Sequence, residues 1–172
     1  MGLIDVADDV ANDFAAKGVQ ATVYFGPEFR AQDDAAGRVV IVPNRDKYDR
    51  LQHPNGANPR PLWTRHAGAM AQIWAAAPLN TLPVDKPAAD WRALDLLINA
   101  FVSSLWLTHP GDIEMGDGVV NTKTPHVAWG KQYDLQFWIL HPIVDQPWPT
   151  ETVTRGGHTY LRFSDKDEQA DL

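Results

Sequence analysis

Cysteine is absent from this chain of 172 residues. That excludes disulfide staples, thiolate nucleophiles, and zinc or iron–sulfur sites built on sulfur. Serine is scarce: Ser103, Ser104 and Ser164 are the whole supply, and none sits in the G-x-S-x-G elbow that exposes a hydroxyl nucleophile. The phosphate cradles G-x-x-x-x-G-K-[ST] and G-x-G-x-x-G are missing as well. No apolar run approaches the roughly 18 residues of a membrane span, so the sequence reads as a soluble chain. Met1 to Asp5 lacks the basic start and apolar stretch of a signal peptide, and the expectation is a cytoplasmic domain. Positive charge is in deficit too. Fifteen Lys and Arg stand against 22 Asp and Glu, a net charge of −7, the wrong sign for gripping duplex DNA by its phosphates.

What is present suits one α+β domain over residues 1–172. A chain of this size buries about 70% of the surface its unfolded form exposes, enough for an ordinary core. Leu3, Val6, Ala7, Val10, Ala11 and Phe14 recur at three- and four-residue spacing and predict an N-terminal helix, closed by Lys17-Gly18. Residues 21–25 and 38–42 are β-rich runs stopped by Gly26-Pro27 and Pro43, which predicts a loose hairpin. Residues 44–62, with three Pro and three Asn, read as a long loop. Residues 65–77 alternate small apolar with larger side chains and predict a strand. A long helix over 87–107 follows, with Trp91, Leu94, Ile98, Phe101, Val102 and Leu105 as its buried stripe. Gly116-Asp117-Gly118 reads as a turn between short extended pieces. Residues 132–143 form a strand apolar on both faces in its outer half, hence central. Arg155-Gly156-Gly157 marks a terminal hairpin at about 150–164. The architecture expected is a mainly antiparallel sheet packed by the two helices.

The search for chemistry finds no catalytic constellation. Six histidines occur, but none at H-x-x-x-H spacing and none in H-E-x-x-H. His109 to Asp117 holds oxygen and nitrogen ligands without the order of a calcium loop. The expectation is no enzyme, no metal and no cofactor. Two features stand out instead. Residues 45–65 carry Arg45, Lys47, Arg50, Arg60 and Arg65 against Asp46 and Asp49, a local +3 in an acidic chain. This is either a solvated loop or a basic arm for an acidic neighbour. Seven Trp is a high count, and Trp63, Trp129 and Trp148 lie beside prolines or a glycine, where they serve either as satellite packing or as interface anchors. The candidate interface residues are therefore Arg45, Lys47, Arg50, Arg60, Trp63, Trp129 and Trp148.

The order of elements (helix, β pair, long loop, strand, long helix, strand pair) resembles the tail terminator, or tail completion, proteins of long-tailed bacteriophages. Gly130 to Ile143, G-K-Q-Y-D-L-Q-F-W-I-L-H-P-I, carries the best local likeness, with Trp74 closing the third strand and Leu94 to Pro110 preceding a GD-containing segment. The likeness spans about residues 3–146 and is a pattern of elements without a signature motif. It implies a ring-forming α+β subunit, hexameric in the family. The ring caps the tail tube, joins the neck or head-completion protein, and lets genomic DNA pass through its lumen without sequence-specific binding. Repulsive acidic walls suit that passage. It also implies a virion location after assembly in the host cytoplasm, and no catalytic residues. The rival readings are a head-completion or neck connector of the same virion and, more distantly, a small metal-dependent hydrolase under the 44–62 loop.

Overall fold

The computed structural model describes residues 2–26, 37–51, 62–121, 130–142, 149–155 and 158–163. The elements run α1 (Leu3–Lys17), β1 (Thr22–Phe25), β2 (Gly37–Pro43), β3 (Lys47–Leu51), β4 (Leu62–Ala75), α2 (Lys86–Thr108), β5 (Ile113–Asn121), β6 (Lys131–Pro142), β7 (Pro149–Arg155) and β8 (His158–Phe163). The chain divides into two compact units, Met1–Tyr48 with Arg65–His141, and Asp49–Thr64 with Pro142–Leu172. Within the second, β7 and β8 pair antiparallel where the Arg155-Gly156-Gly157 signal lies. No helix is long and apolar enough to cross a membrane among the described residues.

The fold is α+β, and its main sheet has six strands in the order β1-β2-β4-β6-β5, with β3 paired to β4 off that path. Alternation sorts the strands into two faces. Val39, Ile41, Ala69, Ala71, Ile73, Leu135, Phe137 and Ile139 join the core cluster with Val6, Val10 and Phe14 of α1 and Leu94, Leu97, Phe101 and Leu105 of α2. Both helices therefore pack on one face of the sheet. The alanines of β4 are small enough to let them approach, and Phe14, Phe101 and Phe137 fill the space, with Phe101 edge-on to Phe137 at 6.0 Å between centroids. Burying each such ring contributes on the order of 2–3 kcal/mol. α1 ends as its sequence dictates: Gly18 takes the left-handed conformation (φ 68°), and its N–H and that of Val19 return to Ala15 and Phe14 carbonyls.

Four expectations are corrected. The loose hairpin expected of residues 21–25 and 38–42 does not form: β1 and β2 pair in parallel, Val23 opposite Val39 and Phe25 opposite Ile41, which makes the sheet mixed. A parallel pair needs a crossover of about a dozen residues, and residues 26–36 reach about that length. The stretch read as a loop over 44–62 contains β3. Its sequence Lys-Tyr-Asp-Arg-Leu looks loop-like because a strand paired on one side tolerates charge. Gly116-Asp117-Gly118 is no turn. β5 runs through it with a bulge, advancing from Met115 to Gly118 while β6 goes from Phe137 to Leu135. A Cβ on Gly116 would lie 2.7 Å from the Trp138 ring, and the Tyr133 ring occupies the place of one on Gly118, so both glycines seat aromatic rings of β6. Finally, Trp91 lies at the surface, 39% exposed, and Asp90 takes the buried position of that turn.

Asp90 is buried because it closes the connector between β4 and α2. Its Oδ1 accepts the Ala77 N–H at 2.7 Å, and Lys86 Nζ donates to both carboxylate oxygens at 3.0 and 2.8 Å. Inside that clasp the Thr81 N–H donates to the Pro78 carbonyl, and the Asp85 and Lys86 N–H groups donate to Leu82. Residues 78–85 are held at both ends and in the middle.

Candidate functional site

The basic segment starts where β2 stops. Pro43 has no N–H to extend the ladder, and residues 44–46 leave the strand before β3 begins. Three hydrogen bonds fix this jog to the sheet. The Asn44 N–H donates to the Gly68 carbonyl at 2.8 Å, the Gly68 N–H to Asp46 Oδ1 at 3.0 Å, and Trp138 Nε1 to the Arg45 carbonyl at 3.2 Å. The approach is so close that a Cβ on Gly68 would overlap the Arg45 carbonyl oxygen. Only glycine fits there.

Charge is paired along the same line. Arg65 donates from Nε and Nη2 to Asp46 Oδ2 at 2.9 and 2.8 Å. The Gly68 N–H, and after it Arg65, hold the Asp46 carboxyl below the ordinary carboxylate range against partial burial, and Asp46 raises Arg65 in return. Lys47 Nζ lies 3.3 Å from the centroid of the Trp138 ring and donates to Glu114 Oε1 at 3.0 Å. The other oxygen of Glu114 is 3.5 Å from His66 Nδ1. Glu114 stands opposite Trp138 in the β5–β6 pairing, so this cluster occupies the face away from the helices. Arg38 and Trp74, opposite each other in the β2–β4 pairing, stack on that face with 4.6 Å between the guanidinium carbon and the ring.

These contacts say what the segment can do. Lys47 and Arg65 are compensated within the chain by Glu114 and Asp46, and the local excess of positive charge shrinks accordingly. The Arg45 side chain is exposed while its carbonyl is pinned. Arg50 and Trp63 fall in β3 and β4, but their side chains, and Arg60, Trp129 and Trp148 altogether, lie outside the described residues. His109, the first residue of the 109–117 segment, is buried just past the end of α2, with Nε2 3.2 Å from Asp9 Oδ2. Among the described residues no group of three metal-ligating side chains converges.

A second surface was missed by the sequence reading. Large apolar side chains are exposed along the connector (Leu79, Leu82, Val84) and on the outer side of α2 (Leu96, Trp106, Leu107). The signal was available: Leu96, Trp106 and Leu107 fall off the 94–98–101–105 stripe, so α2 is apolar on more than the face its core needs. No protein-family model and no curated protein matches this chain.

Proposed function

We propose that this chain is a structural subunit that assembles with copies of itself into a ring, hexameric as in the family it resembles. The ring caps the tail tube of a long-tailed bacteriophage and presents its other side to the neck or head-completion protein. On this reading it is no enzyme and takes no cofactor, its working location is the virion, and DNA crosses the lumen without being read. The observation that carries the proposal is the exposed apolar surface of the connector and α2, on a unit whose core is already filled. A patch of that kind lowers the free energy of a protein only when something covers it. The element order supports the same reading, with the parallel β1–β2 pair as a departure from the pattern expected.

The test is electron microscopy of tails assembled without this chain. Overlong, uncapped tubes that regain their normal length when purified protein is added are the expected result. Tails of normal length that fail to join heads would replace the terminator role with that of a neck connector.

A further inference from the structure

His109 is a buried ionisable group that the proposed assembly does not use. It follows the last residue of α2, and its backbone N–H donates to the Leu105 carbonyl at 2.9 Å. The residue is 4% exposed, and its Nε2 atom is shut off from solvent. Across the seam with α1, Asp9 Oδ2 stands 3.2 Å from that nitrogen. The two atoms have the separation of an ion pair without the alignment of a hydrogen bond. A neutral imidazole gains little from such a contact, because a hydrogen bond weakens steeply off its axis. An imidazolium does gain, since attraction between charges depends on their separation.

Burial weighs differently on the two partners. The Asp9 side chain is 47% exposed, so water still solvates part of its charge. His109 has lost that water, and a protonated ring in its place is costly to bury without a counter-charge. Among the described residues Asp9 is its one ionic partner. The other groups nearby add no cation beside the ring. α2 brings the negative end of its dipole and no basic residue in its last turn. On α1, Asp8 is exposed, Asp5 is bonded to the Gly2 N–H, and Asp13 is paired with Lys17. The turn after His109 carries Asp112, exposed, and β5 and β6 meet that turn through Ile113 and Leu140, which are uncharged. We propose that Asp9 is the counter-charge that lets His109 take up a proton without unseating α1. Val6, Val10 and Phe14 of that helix belong to the core cluster, so a strained seam would loosen the core with it. The inference stands apart from the ring reading.

The test is thermal unfolding of the full chain at pH 5.5 and pH 8, on either side of the histidine range. Asp9→Asn should lower the melting temperature by about 2–4 °C more at pH 5.5 than at pH 8. The sign follows from linkage: without the carboxylate the folded state resists a proton that the unfolded chain accepts, so stability falls as pH falls. Asp9→Glu, which keeps the charge, should remove most of that extra loss. Asp8→Asn, the same change on an exposed neighbour, should show none of it. In a His109→Gln background, Asp9→Asn should act equally at both pH values. The proposal is overturned if the Asp9→Asn loss is independent of pH, is matched by Asp8→Asn, is not rescued by Asp9→Glu, or stays pH-dependent without His109. Should His109→Gln fail to fold, the variants at positions 8 and 9, whose side chains reach solvent, still decide.

Discussion

Asp46 shows how one carboxylate converts a break in a strand into a fixed feature. It accepts the Gly68 N–H and two bonds from Arg65, and its affinity for a proton drops because of them. The sign follows from linkage: a carboxyl whose folded pKa lies below its unfolded value stabilises the fold above about pH 4 and loses that contribution as pH falls further. Asp13 behaves alike, lowered first by Lys17 against partial burial. Asp46→Ala should cost about 1–3 kcal/mol at pH 7, from charge-assisted bonds that are partly exposed. Asp46→Asn, which keeps an acceptor for Gly68, should cost less. Urea unfolding at pH 7 and at pH 2.5 checks both, because the gap between either variant and the wild type should narrow in acid. A gap independent of pH would mean that the carboxylate charge plays no part.

At the scale of elements, the jog at 44–46 separates two roles that the sequence had merged in one basic stretch. Lys47→Glu removes a cation from the Trp138 face and places a second carboxylate beside Glu114, which should cost about 1–2 kcal/mol. Arg45→Glu changes an exposed side chain and should stay within about 0.5 kcal/mol. If residue 45 faces an acidic tube subunit, tube capping falls in Arg45→Glu while its urea midpoint holds. Capping by Arg45→Glu at the wild-type level removes Arg45 from the interface. The elements that could be read from the sequence were those whose burial follows a period: the 6–10–14 stripe of α1, the alternation along β4, the strand at 131–142. Those that misled were decided by pairing partners or by one polar group. Nothing local to β1 or β2 specifies parallel pairing. β3 looks like a loop because, among the described residues, β4 is its one paired neighbour. Trp91 outranks Asp90 on hydrophobicity, yet the buried place goes to the residue that satisfies the Ala77 N–H and Lys86. The site was half legible: the basic stretch was visible, but its compensation by Glu114, 67 residues away from Lys47 in sequence, depends on the fold.

For the molecule as a whole, every residue of the core cluster belongs to the unit built from Met1–Tyr48 and Arg65–His141. A chain stopped after Pro142 should therefore keep its helical circular dichroism and unfold in one cooperative transition; loss of cooperativity would make the C-terminal hairpin part of the folding unit. The connector clasped by Asp90 has a consequence of its own. A tip of leucine and valine on a slack loop would give up much of its docking energy to the work of becoming ordered, and its partner would have to wait for the right shape to appear. Here hydrogen bonds within the chain already hold residues 78–85, so under the proposed assembly a partner would meet a surface formed before the encounter. The speed of that step would be set by diffusion and orientation, with no folding step to slow it.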